Sequence, residues 1–123
     1  MKNNWVIIGG LSGFLGVALG AFGVHALKTS LSPEMLEIYK TGIFYQLIHS
    51  VIIVSLGFYN NPKFNTSALF FTLGIILFSF SLYAYSLTGI TIIAIITPFG
   101  GVCFLIGWLL VIYNGYKLKK TGL

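Results

Sequence analysis

The side chains best equipped for chemistry in this chain are two histidines and a glutamine. Gln46 and His49 stand one helical turn apart in an apolar stretch, with Tyr45 beside them. On a helical wheel Gly42, Gln46, His49 and Ile53 fall within about 60° of one another. His25 closes an earlier apolar stretch, and Thr97 precedes Pro98 in a later one. Proline lacks a backbone donor, so in a helix Pro98 produces a kink near Thr97 and leaves the Ala94 carbonyl to find another donor: the Thr97 hydroxyl, a neighbouring side chain or a water. His25, Tyr45, Gln46, His49 and Thr97 therefore make a candidate polar pocket, suited to a proton relay or to capture of a polar ligand. The plainer alternative is a hydrogen-bonded network that fixes helix register, at about 0.6–2 kcal/mol per bond in a membrane.

Other chemistries are poorly provided for. Cys103 is a lone thiol in an apolar run, and with two histidines it makes a weak metal set. No metal or cofactor is expected. Glu34 and Glu37 are the only acids, and no nucleophile lies beside a base, so an enzyme is not favoured. The net charge of +5 comes from lysine alone. Without arginine's planar fork the chain is badly equipped for phosphate and base recognition, which argues against a nucleic-acid partner.

The elements that must position these residues follow from composition. Of 123 residues, 57% are hydrophobic and 7% charged. A soluble domain carries about 25% charged residues to keep its surface wet. The medium that suits this surface is lipid. A span needs about 20 apolar residues to cross about 30 Å of hydrocarbon. Four stretches qualify, at about 5–26, 41–59, 67–85 and 91–114, and none contains Asp, Glu, Lys or Arg. The apolar part of the first exceeds the roughly 7–15 residues of a signal peptide and reads as a retained helix. The expected architecture is an all-α membrane protein. It is a single four-transmembrane-helix bundle over residues 1–123, with a short interfacial helix after the first span.

Charge placement orients the bundle. Lys2, Lys63, Lys117, Lys119 and Lys120 share one side in a four-span arrangement, and Lys28 and Lys40 the other, a count of five against two. Lysine-rich loops stay in the cytoplasm, so both termini are expected there. Trp5, Tyr59, Tyr113 and Tyr116 would mark the inner interface, and Tyr39, Tyr83 and Tyr85 the outer one. Between the first two spans, Ser32 suits an N-cap and Pro33 the first helical position. Met35, Leu36 and Tyr39 then share a face opposite Glu34, Glu37 and Lys40, giving about two interfacial turns that run straight into span two.

Gly9, Gly13, Gly16, Gly20 and Gly23 recur at alternating spacings of four and three, which puts all five on one face of span one. Glycine costs about 1 kcal/mol relative to alanine inside a helix. A stripe of five implies close approach of a neighbouring helix, from this chain or from another subunit. Ser67, Gly74 and Ser81 form a similar stripe on span three, and Gly100, Gly101 and Gly107 serve span four.

Several of these residues carry a resemblance. Gly20-Ala21-Phe22-Gly23-Val24-His25-Ala26-Leu27, Leu31-Ser32-Pro33-Glu34, Thr41-Gly42, Tyr45-Gln46-x-x-His49, Thr97-Pro98-x-Gly100-Gly101 and Gly107-Trp108 are similar to the small membrane proteins of the YgdD/YwdK type. These form a domain-of-unknown-function family related to mitochondrial transmembrane protein 256. Val24 departs from the alanine of many relatives. The resemblance implies a multi-pass protein of the bacterial plasma membrane and brings no activity with it. The favoured role is a structural or accessory subunit of a membrane assembly, its partners being the lipid bilayer and a second copy or a complex. The alternative is a small transporter, channel or sensor using the outer-leaflet pocket around His25, Gln46 and His49.

Overall fold

A computed structural model describes residues 3–122, so Lys2, counted above in the charge balance, lies outside the described residues. Among the described residues the chain forms four long apolar helices: α1 (Trp5–Leu27), α2 (Pro33–Tyr59), α3 (Pro62–Thr88) and α4 (Thr91–Thr121). Each is long enough to cross hydrocarbon, since 20 residues rise about 30 Å. Four such helices in one chain are the architecture of an integral membrane protein.

Local chemistry sets where the helices begin and end. The Ser32 hydroxyl accepts from the Met35 N–H at 3.2 Å, and Pro33 fills the first turn of α2. The interfacial turns are simply the first turns of α2, with no interruption before the span. Asn60 stops α2 in the left-handed conformation at φ 54°, donating to the Leu56 carbonyl, and Gly89 stops α3 at φ 69°. Outside the bilayer centre, Asn3 and Asn60 join side chains at 2.5 Å, and the Trp5 indole donates to Asn65 at 3.1 Å. These bonds tie the start of α1 to the α2–α3 turn.

In space α1 lies along α2, α3 lies along α4, and α2 and α3 form the central pair. The glycine stripe of α1 faces α2 of the same chain. A Cβ at Gly9 would sit 2.8 Å from the Val54 nitrogen, and one at Gly16 would sit 2.7 Å from a Leu47 methyl. Gly13, Gly20 and Gly23 meet Ser50, Ile43 and Tyr39 in turn. Gly57 returns the favour on α2, lying against the backbone of Trp5 and Val6.

Two helices carry a wide π turn, Leu19–Gly23 in α1 and Ile75–Ser79 in α3. The kink expected at Thr97 takes the form of a break. The regular helix stops at Ala94 and restarts at Thr97. The Ile95 and Ile96 amides turn to the carbonyls of Ile92 and Ile93, three residues back, at 3.2 and 3.1 Å. The Thr97 hydroxyl, one donor considered for the freed Ala94 carbonyl, instead meets Ser81 at 2.6 Å.

Tyr39 and Tyr83 depart from expectation. Rather than marking the outer interface they are buried, at 2% and 9% exposure, with ring centroids 5.1 Å apart. Their hydroxyls find partners inside the bundle, so burial leaves no donor unmatched. Together with Ile43 they form one core cluster, and Ile53, Phe71, Ile75 and Phe104 form the other.

Candidate functional site

The inward stripe of α2 carries two polar layers. The first is centred on Gln46, which is fully buried. Its Nε2 donates to the Ser12 carbonyl at 2.7 Å, and its Oε1 accepts from the Tyr83 hydroxyl at 2.6 Å. The reach to Ser12 depends on Gly16. Four residues on, a side chain at that position would stand against Leu47 and within 3.6 Å of the Gln46 amide carbon. A bare backbone there opens the lateral side of the Ser12 carbonyl to α2.

Four further hydroxyls close this layer. Ser50 Oγ lies 2.6 Å from the Gln46 carbonyl and 2.7 Å from Ser12 Oγ. A hydroxyl has one proton. If Ser50 gives its own to the carbonyl, the Ser12 hydroxyl supplies the second bond. Ser79, the last residue of the α3 wide turn, donates to the Gly42 carbonyl at 2.7 Å. Tyr39 donates to the Leu19 carbonyl at 2.9 Å, where the α1 wide turn begins.

The second layer, one turn along α2, is an aromatic box around His49. The ring stacks on Phe104 with centroids 3.8 Å apart and planes 13° from parallel. Phe71, Trp108 and Tyr45 close the remaining sides at 5.3, 5.9 and 6.1 Å. Glycines again make the room. A Cβ at Gly107 would press on the Phe71 ring at 2.6 Å, and one at Gly74 would overlap Phe104. His49 Nδ1 lies 2.7 Å from the Tyr45 carbonyl, and the Trp108 indole N–H points at Nε2 from 3.1 Å. A carbonyl can only accept and an indole can only donate. The pairing fits the neutral ring with its proton on Nδ1, and both nitrogens are then occupied.

The structure divides the set of residues expected to share one pocket. Tyr45, Gln46 and His49 are together, Tyr45 giving His49 its backbone carbonyl and part of its ring cover. Thr97 belongs to a separate α3–α4 link with Ser81; since Ser81 also donates to the Phe78 carbonyl at 2.9 Å, Thr97 supplies the proton between the two hydroxyls. His25 is exposed near the end of α1 and joins neither group. Ser12, Ser79, Phe71, Phe104 and Trp108, on the other helices, are the members that inspection of α2 did not reveal, and Ser50 on α2 itself was not among the expected residues. Trp108 had a signal of its own, being a tryptophan in the middle of a span rather than in the interfacial belt. Among the described residues no three of His, Cys, Asp and Glu come together.

Over residues 19–101 the chain matches the family described as Protein of unknown function (DUF423). The chain belongs to the DUF423 family. That segment holds both wide turns, Gln46, His49 and Tyr83, and ends before Phe104 and Trp108. This DUF423 protein is 41% identical over 123 residues to a UPF0382 membrane protein of Haemophilus influenzae, covering 98% of this chain and 99% of the relative. It is 38% identical over 121 residues to the UPF0382 inner membrane protein YgdD of Escherichia coli K12, covering 95% and 92%. It is 34% identical over 118 residues to the UPF0382 membrane protein YwdK of Bacillus subtilis, covering 92% and 96%. None of these names carries an activity. No solved structure matches the DUF423 chain.

Proposed function

We propose that this protein is a structural or accessory subunit of a membrane assembly, its polar layers serving as internal fasteners. The observation that carries this reading is the closure of both layers. Gln46 is bonded at both ends of its amide, and His49 is bonded at both ring nitrogens and walled by aromatic rings. A proton relay or a ligand site needs a group free to exchange its partner, and the inward face of α2 offers none of these four atoms. By contrast, the outer faces of α1 and α4 present large apolar side chains, Phe14 and Phe99 among them. Lipid or protein can cover such a surface at equal hydrophobic cost.

Extraction in a mild detergent after crosslinking in the membrane tests the reading. A discrete complex containing the chain is expected; a lone monomer in every crosslinking regime counts against it. Reconstituted liposomes test the rival. Proton or small-solute flux equal to that of empty vesicles is expected, and flux abolished by His49→Ala would establish transport instead.

The orientation belongs to the same proposal: a plasma-membrane protein with both termini in the cytoplasm, supported by Lys63, Lys117, Lys119 and Lys120 sharing one end of the bundle. With Cys103→Ala as background, a membrane-impermeant maleimide should label Thr29→Cys in intact cells and Thr121→Cys only after permeabilisation. The reverse pattern contradicts it.

A further inference from the structure

The two ends of the bundle differ in charge chemistry. Both glutamates lie in the first turns of α2, and Glu37 stands 3.5 Å from Lys40, so that end neutralises itself in part. The opposite end carries Lys63, Lys117, Lys119 and Lys120 and no acidic side chain. The fold makes these lysines one surface. The Pro62–Phe64 turn, which holds Lys63, packs against α4. Leu118 is buried in the last turns of α4. Lys117 and Lys119 lie about 100° to either side of it on the helix and Lys120 nearly opposite, so seating Leu118 turns all three ammonium groups outward.

Depth is set by the length of α4 and by its tyrosines. Its 31 residues rise about 45 Å, against about 30 Å of hydrocarbon. The surplus carries the end of the helix into the headgroup layer. Exposed Tyr113 and Tyr116 lie about one turn before the lysines, and Lys117 Nζ stands 5.2 Å from the centre of the Tyr113 ring. Tyrosine settles where hydrocarbon gives way to headgroups. Lysine is a compact charge on a flexible stem, able to follow a fluid headgroup.

We propose that this end of the bundle is a docking surface for the headgroups of anionic glycerophospholipids. The lysines meet the phosphodiester oxygens, and the two tyrosines seat the glycerol region beneath them. A zwitterionic headgroup brings its own cation to the same place and is the weaker occupant. Near a membrane surface each basic residue changes the affinity for anionic lipid by roughly five-fold.

Electron paramagnetic resonance of spin-labelled lipids tests this in phosphatidylcholine membranes holding the full chain. Phosphatidylglycerol should be immobilised at the protein surface in preference to phosphatidylcholine. The preference should fade in about 1 M salt, where the Debye length is about 3 Å. Replacing Lys63, Lys117, Lys119 and Lys120 by Gln should abolish it, replacement by Arg should keep it, and Lys28→Gln with Lys40→Gln should leave it unchanged. All these sites are exposed, and circular dichroism verifies that the helices persist. Absence of a preference, its survival in the four-Gln variant, or its loss in the Lys28/Lys40 variant overturns the proposal.

Discussion

The Trp108 indole N–H lies 3.1 Å from Nε2 of His49, on the far side of the imidazole from its 2.7 Å bond to the Tyr45 carbonyl. One ring thus joins α2 to α4, whose backbones keep apart at this level. Replacing Trp108 by Phe leaves Nε2 without a donor. The expected cost is about 1–2 kcal/mol of stability in detergent. A double-mutant cycle of Trp108→Phe with His49→Phe should show a coupling of at least about 0.6 kcal/mol. Strict additivity would show that the bond is absent in the membrane-embedded protein.

Tyr83 and Gln46 form the corresponding pair between α3 and α2, at 2.6 Å. Tyr83→Phe keeps the ring against Tyr39 and removes only the proton offered to Oε1. A loss of about 1–2 kcal/mol is expected, because the buried amide oxygen is left unmatched. A double-mutant cycle of Tyr83→Phe with Gln46→Met should show coupling, because the shared bond can be lost only once, whatever Gln46→Met costs at its other partner, the Ser12 carbonyl. Strict additivity goes against the pairing. Reversible unfolding in mixed micelles reads both.

Adjacent glycines in α1 should answer a methyl group in opposite directions. At Gly9 a Cβ would stand 2.8 Å from the Val54 backbone nitrogen, which cannot rotate away; at Gly10 nothing lies within 4 Å. Gly9→Ala should destabilise by about 1–3 kcal/mol through forced separation of α1 from α2. Gly10→Ala should be neutral or stabilising by up to about 1 kcal/mol, from helix propensity. Melting temperatures in one detergent would decide it, and equal losses at both positions would mean that α1 packs differently.

Much of this architecture was legible from the residues, and the reasons are physical. Spans without charge, the Ser32-Pro33 helix start and the glycine rhythm of α1 are local signals, readable without knowing what lies opposite. The partners of Gln46 and His49 were not legible, because they depend on the rotation of each helix against its neighbours. The wide turns Leu19–Gly23 and Ile75–Ser79 alter that rotation and leave no mark in composition. Tyr83 shows the ambiguity well. A tyrosine near the end of a span suits an interfacial belt and a buried amide equally, and only the position of Gln46 on α2 separates the two. His25 and His49 lie near the same membrane face by chain position, yet one is exposed and the other sealed.

Nitrogen-15 NMR of histidine-labelled protein in lipid, with His25→Ala to assign the signals, probes the sealed imidazole most directly. At neutral pH His49 should show a protonated Nδ1 and a bare Nε2, and its Nδ1–H should exchange with deuterated water far more slowly than an exposed ring. Rapid exchange, a proton on Nε2, or a doubly protonated ring would mean that water reaches this layer, and the closed-fastener account would fail with it.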